Sequence, residues 1–337
     1  MTPRAFVLTA VAAIAASIAA LAVYAAANPW SQVRATGAKL TPALASGSPK
    51  IGSIALGQGA AALTLMQKDG KWSLKERSGY PVEAEPVRAL LIKLSQAELV
   101  EAKTRNPERY ALLELEDPAA KDSKSKPLRV LDEKGAVLAE VVVGKRKWDA
   151  FGSGKGGTYV RTPKDPQVWL ANADLDLPLE VRRWIKPDIV ALDAGKFTEL
   201  KLAIPGEEPL ELDRKDVKAA FKAFPPEDKK LKDANAAEAL MRAAANIDAE
   251  DVRKLDAMPS GDGVSVLTLK SDAGLGVTLR VRKDGDASWV SITATGEGAS
   301  KAVADALNAK AIGWEYRVPP AKAEQLLKKR ADLLDAG

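Results

Sequence analysis

The 337-residue chain contains no cysteine and no histidine. Without cysteine there are no disulfides, no thiolate nucleophile, no zinc–thiolate site and no lipid-modified cysteine anchor. Without histidine the commonest general base and the commonest metal ligand are missing, which excludes Ser-His-Asp and Cys-His catalysis and the histidine-ligated metallohydrolases. Only carboxylate, lysine or Ser-Lys chemistry remains open. Aromatic residues are few, at 5%, and they are not interleaved with a concentrated basic patch, as a dedicated nucleic-acid binder would require. The 50 Lys and Arg outnumber the 45 Asp and Glu only slightly, leaving a formal charge of +5. No nucleic-acid partner, cofactor, metal or catalytic residue is expected.

A further absence is local. No charged residue occurs between Arg4 and Arg34, and the stretch from Ala5 to Ala27 is almost wholly apolar. Crossing a bilayer as a helix takes about 20 such residues. The stretch reads as a transmembrane anchor over 1–30, with Tyr24 and Trp30 suited to the interfacial aromatic belt. A cleaved signal peptide is the alternative, with Arg4 as its charge and Ala25-Ala26-Ala27 as its small-residue cleavage site. Arg34, Lys39 and Lys50 after the segment outweigh Arg4 before it, so the positive-inside count alone does not orient it. The short tail before it and the large body after it resemble a signal anchor with an exported body. The expected location is therefore the cell (inner) membrane, single-pass, with an extracytoplasmic or periplasmic body.

Hydrophobic residues make up 46% of the chain, enough for an ordinary core. After a linker at 31–50, alternating runs mark strands. Asp69-Gly70 between two such runs signals a tight turn. Val87, Leu90, Leu91 and Leu94 give a helical stripe after Pro86. Further strands follow at Leu128, Val137, Thr158 and Gln167. A second series begins at Glu199: a strand pair, a helix from about Asn235 with Asn235 and Glu238 at capping-box spacing, then strands at Val264, Val277, Trp289 and Trp314. A final amphipathic helix after Pro319-Pro320 carries Ala323, Leu326, Leu327 and Leu334. The expected fold is α+β: a transmembrane helix, then two related lobes of antiparallel sheet with packed helices, at 51–187 and 188–337, arising by internal duplication.

Several ordered pieces of the first lobe carry a resemblance. They are Gly79-Tyr-Pro-Val82, Asn106-Pro-Glu-Arg-Tyr-Ala-Leu-Leu-Glu-Leu-Glu-Asp-Pro118, Val141-Val-Val-Gly-Lys-Arg146, Gly157-Thr-Tyr-Val-Arg161 and Val168-Trp-Leu170. With the N-terminal anchor they resemble the bacterial family catalogued as domain of unknown function 4340, most strongly from about Lys50 to Leu192. That resemblance implies a single-anchor envelope protein, in some members encoded near ABC-type export genes. The function it implies is an accessory, non-enzymatic binding or scaffold role beside membrane transporter subunits. It carries no catalytic residues, and the tyrosine-containing piece is expected to pack the fold.

The remaining candidates are local. Gly152-Ser-Gly-Lys-Gly-Gly-Thr158 looks superficially like a phosphate loop, but Gly156 follows Lys155 where Ser or Thr is needed, and Asp149 stands where the first Gly belongs. Lys145, Arg146 and Lys147, with Trp148, Phe151 and Lys155, form a basic, aromatic strand-to-strand connection and a candidate partner contact. Glu114, Glu116 and Asp117 supply carboxylates, which serve a glycosidase only when two face each other across a cleft. A histidine-independent hydrolase with carboxylates in an inter-lobe cleft is the alternative function. Asp248, Glu250 and Asp251 lack the spacing of a calcium loop and are expected at a helix start.

Overall fold

A computed structural model describes residues 13–20, 22–23, 37–47, 49–152, 154–224 and 230–335. Most of the apolar stretch from Ala5 to Ala27 lies outside them. Residues 13–20 and 22–23 are helical and exposed. Among the described residues no helix is long and apolar enough to cross a membrane.

The strands in chain order begin β1 (Ala38–Lys39), β2 (Ile51–Leu56), β3 (Leu63–Lys68), β4 (Lys71–Leu74), β5 (Tyr80–Val82) and β6 (Glu98–Ala102). They continue with β7 (Lys126–Asp132), β8 (Val137–Lys147), β9 (Gly157–Arg161), β10 (Trp169–Ala171), β11 (Asp188–Ala191), β12 (Phe197–Ala203) and β13 (Leu210–Asp213). The last are β14 (Lys222–Phe224), β15 (Asn246–Asp248), β16 (Asp251–Lys254), β17 (Val264–Ser271), β18 (Leu275–Asp284), β19 (Ala287–Gly296) and β20 (Trp314–Val318). The protein is α+β, with large antiparallel sheets and several helices. The chain divides into two compact units. The first takes Met1–Lys71 and Ala84–Leu179; the second takes Trp72–Glu83 and Glu180–Gly337.

In the first unit the strand order is β1-β6-β10-β9-β8-β7-β2-β3. Period-two alternation separates the faces of this sheet. Ile54, Leu56, Leu63, Leu65, Leu128, Val130, Ala139 and Val141 are buried, and the register sets them opposite one another across four strands. A second row, Ala55, Arg129 and Glu140, lies beside Pro127, Val142 and Arg161 on the other face. The helix Ala84–Gln96 buries Val87, Leu90 and Leu94, following the sequence stripe. Asp69 and Gly70 both have positive φ, at 50° and 76°, as a type I′ turn demands.

In the second unit an eight-stranded antiparallel sheet runs β14-β13-β12-β17-β18-β19-β20-β16, and β11 pairs with β15. β4 and β5 form a hairpin. The order β16-β20-β19-β18-β17-β12-β13 corresponds strand for strand, in chain order as well as space, to β6-β10-β9-β8-β7-β2-β3 of the first unit. The helix Ser300–Ala311 interrupts the correspondence. It packs on β18 and β19 through buried Ala304, Leu307 and Ala311, and the Asn308 side chain bonds both N–H and C=O of Ala294 at 2.8 Å. Its small-residue stripe hides this helix from a hydrophobic-periodicity reading.

Two expected helices differ in detail. The helix Ala234–Ala245 is capped by Asp233, which accepts the Asn235 N–H at 2.9 Å. The Asn235/Glu238 box does not form, because Glu238 pairs with Arg214 at 3.0 Å. The terminal helix breaks in two, Pro320–Leu326 and Arg330–Leu333. Asp332 restarts it by accepting the Lys329 N–H at 2.9 Å.

Candidate functional site

On the open face of the first sheet, a 3₁₀ segment, Pro107–Leu113, forms a cap. Asn106 starts it by accepting the Glu108 N–H at 3.1 Å, and Pro107 occupies the first turn. Tyr110 and Leu115 pack against Val142 and Val168, with Leu113 and Tyr159 alongside. The Tyr110 hydroxyl donates to the Pro166 carbonyl at 2.5 Å. Arg161 fastens the cap from below. Its Nε donates to the Leu115 carbonyl at 2.8 Å, a terminal nitrogen donates to the Glu116 carbonyl at 3.3 Å, and its guanidinium lies 5.2 Å from the centre of the Tyr110 ring. Gly144 of β8 gives the cap room. A Cβ there would overlap the Leu113 carbonyl oxygen and sit 2.7 Å from Leu115 Cγ. The pieces from 106–118, 141–146, 157–161 and 168–170 are far apart in sequence and meet in this one assembly. Thr158 adds a clamp: its hydroxyl donates to the Ala173 carbonyl and accepts the Leu175 N–H.

Beside the cap lies a cleft of about 680 Å³. Its floor is the row Ala55, Arg129, Glu140 and Val142, and its walls include Tyr110, Pro107, Pro118 and Pro163, with Glu116 and Asp117 at one side. Arg129 is paired with Glu140. Glu116 Oε1 accepts the Lys124 N–H at 2.8 Å. Glu116 Oε2 is buried and has no hydrogen-bond partner. Asp117 Oδ1 accepts the Ala119 N–H. Thus Glu116 and Asp117, from the connection before β7, join one cleft with Glu140 of β8. Glu114 does not line it; it ends the 3₁₀ segment at φ 55°. Among the described residues no group of three acidic side chains is placed to hold a metal ion.

The basic, aromatic connection between β8 and β9 is a separate feature. Lys145, Lys147, Trp148 and Lys155 are exposed, while Arg146 and Phe151 are half-buried. Arg146 pairs with Asp174 and lies 3.9 Å from Asp176. It also stacks 4.0 Å from the Trp148 ring. Trp148 is 70% exposed, whereas Trp72, Trp184 and Trp289 are buried. Lys155 follows a strand-to-strand turn rather than entering a helix, so no phosphate loop forms.

In the second unit the acidic run is not at a helix start. Asp248 ends β15 and Asp251 begins β16. Asp251 accepts two hydrogen bonds from Arg77 at 2.6 and 2.9 Å, which raise the Arg77 pKa. Glu250 lies 3.5 Å from Arg317. Nearby, fully buried Glu315 receives Arg253 at 2.8 Å and Arg282 at 2.6 and 2.7 Å. Arg253 also bonds Asp284 and stacks 3.9 Å from the Trp289 ring. Hydrogen bonding to Arg253 holds the Asp284 carboxyl below its usual range. Burial pushes the Tyr80 and Tyr316 phenols upward. Tyr316 donates to the Lys310 carbonyl at 2.8 Å, and Tyr80 packs edge-on to Trp314 at 4.9 Å. These charges pair with one another along the edge of the β-sheet. The network was not legible in the sequence, because its members come from four separate segments.

The family described as Domain of unknown function (DUF4340) matches residues 72–309. The chain belongs to this family. The match takes in every residue of the cap assembly and runs past 192 to 309, so the DUF4340 region includes most of the second unit as well. It starts at 72, leaving β2 and β3 outside. No curated protein and no solved structure matches the chain.

Proposed function

We propose that this DUF4340 protein is a non-enzymatic binding or scaffold component. It is held at the cell membrane by residues 5–27, with its body on the extracytoplasmic side, as an accessory to an ABC-type transport system. Its contact with transporter subunits is made through the β8–β9 tip. The observation that carries this reading is Trp148: an indole 70% exposed yet held in place by the Arg146 guanidinium at 4.0 Å. Exposed, preorganised aromatics flanked by cations are the usual anchors of protein contacts. The matching strand orders of the two units support a further proposal, that they descend from one duplicated α+β unit.

The test is cross-linking of the full-length protein in its native membrane, then capture in mild detergent and mass spectrometry. Recovery of transporter subunits, lost with Trp148→Ala and with residues 1–27 replaced by a cleavable export signal, supports the proposal. Recovery that is unchanged by Trp148→Ala removes the tip from it, and recovery of no transporter subunit overturns the accessory role.

A second reading, a hydrolase, has one observation in its favour: Glu116, Asp117 and Glu140 line one cleft. Glu140 is already neutralised by Arg129, which leaves that cleft better suited to holding a ligand than to acid–base work.

A further inference from the structure

The β8–β9 tip presents side-chain donors to solvent and almost no acceptors. Lys145, Lys147 and Lys155 are exposed, and among the described residues no carboxylate pairs with them. Asp149, also exposed, is the one acidic residue between the two strands. The Trp148 indole, whose N–H can only donate, is 70% exposed. Arg146 adds no net charge, because Asp174 takes its guanidinium through two hydrogen bonds and Asp176 lies 3.9 Å away.

The tip also holds one shape. The Arg146 guanidinium, fixed by Asp174, lies 4.0 Å from the centre of the Trp148 ring, so it covers one face of the indole and leaves the other to solvent. At the base, a Cβ on Gly157 would come within 2.9 Å of the Phe151 ring and 2.7 Å of the Ala171 carbonyl oxygen, so Phe151 packs where no side chain could stand. The Phe151 N–H donates to the Lys155 carbonyl at 3.1 Å, and the Lys155 N–H to the Gly152 carbonyl at 3.0 Å. A preordered aromatic loses little freedom on burial, and an apolar cavity complements its open face. The lysines and the indole N–H call for negatively charged acceptors around that cavity. An anionic bilayer would set its phosphates against Asp149 as well as the lysines. A shaped socket places carboxylates opposite the lysines alone.

We infer that the tip docks as a rigid plug into an apolar socket rimmed by Asp or Glu side chains on the partner polypeptide, and that Asp174 is a positioning residue, holding Trp148 in its docking pose through Arg146. This rests on the reading of the tip as the protein's contact surface.

Photo-cross-linking of the full-length protein in its native membrane tests it, with p-benzoylphenylalanine in place of Asp149 and mass spectrometry mapping the adduct to a peptide. The adduct is expected on one apolar, carboxylate-bearing patch of a polypeptide. Its yield is expected to fall at least about threefold as salt rises, and as far with Lys145→Glu and Lys155→Glu together. Asp174→Asn is expected to lower the yield with an unchanged thermal midpoint, and Asp174→Glu to restore it. The salt series, with the lysines and Asp174 intact, decides the rim without those variants. A yield indifferent to salt and to the lysine reversals overturns the acidic rim. A yield indifferent to Asp174→Asn, or a midpoint that falls with it, overturns the positioning role. An adduct to lipid overturns the socket. An acidic socket on a polypeptide other than a transporter subunit overturns the transporter reading and leaves this inference standing, whereas no adduct at all overturns both.

Discussion

Gly144 on β8 lies directly beneath the Leu113 carbonyl, so closely that no side chain fits between the strand and the cap. Two of the three obstructing atoms, the Leu113 and Glu114 carbonyl oxygens, are backbone and cannot rotate away. Gly144→Ala is expected to cost about 1–3 kcal/mol through overpacking, read as a lowered midpoint in urea denaturation. It should also expose Tyr110, with hydrogen exchange rising across 107–118. An unchanged midpoint would mean that the cap lifts without cost.

Arg161 is expected to resist replacement by lysine. A lysine keeps the charge but has no planar fork to reach two carbonyls and stack on Tyr110. Arg161→Lys should lose about 1–2 kcal/mol, measured by chemical denaturation. Full retention of stability would reduce the fastening to simple charge.

Glu315 holds two guanidinium groups from a fully buried position. Removing it leaves Arg253 with Asp284 as its remaining carboxylate partner, and one Arg253 nitrogen is already buried without a partner. Glu315→Leu is expected to destabilise the protein by about 2–3 kcal/mol, below the usual cost of breaking a buried pair from one side, because both arginines reach solvent and Arg253 keeps Asp284. Arg282→Ala should cost clearly less, because that side chain is 37% exposed. Similar losses for both variants would contradict this account.

Tyr80 and Tyr316 fix the alkaline limit. Both folded phenol pKa values lie above the unfolded one because burial disfavours the phenolate. The stabilisation this reflects is complete below the unfolded pKa of about 10 and is lost as pH rises from there towards the folded values. Unfolding on alkaline titration should therefore coincide with phenolate absorbance near 295 nm. Tyr316→Phe should shift the transition to higher pH. Phenolate appearing well before unfolding would count against the burial argument.

Trp148 should contribute little to stability. Trp148→Ala is expected to change it by no more than about 0.5 kcal/mol, as for surface sites, while removing a readily acrylamide-quenched component of the fluorescence. A large loss of stability would show that the indole is structural.

Local pattern carried much of the fold. The stripe at Val87, Leu90 and Leu94, the Asp69-Gly70 turn and the alternating strands were all legible, since each is set by residues near in sequence. The helix Ser300–Ala311 was not, because Ala304 and Ala311 give it too little hydrophobic contrast; the signal was only their spacing with Leu307. The capping box at Asn235 and Glu238 matched its pattern and still failed, because Arg214, distant in sequence, takes Glu238. Glu116 and Asp117 were visible as carboxylates, but their neighbour in the cleft, Glu140, comes from β8 and was not.

The sequence by itself determined the absence of thiol and imidazole chemistry, the α+β class, and the family whose ordered pieces it carries. These follow from composition, from period and from short-range order. Only the tertiary structure decided how those pieces meet. It brought Tyr110, Gly144, Arg161 and Val168 into one cap, buried Glu315 between two arginines, and left one oxygen of Glu116 without a donor. Such relationships depend on strand register and on close approach of backbones, and neither is written in any single segment of the chain.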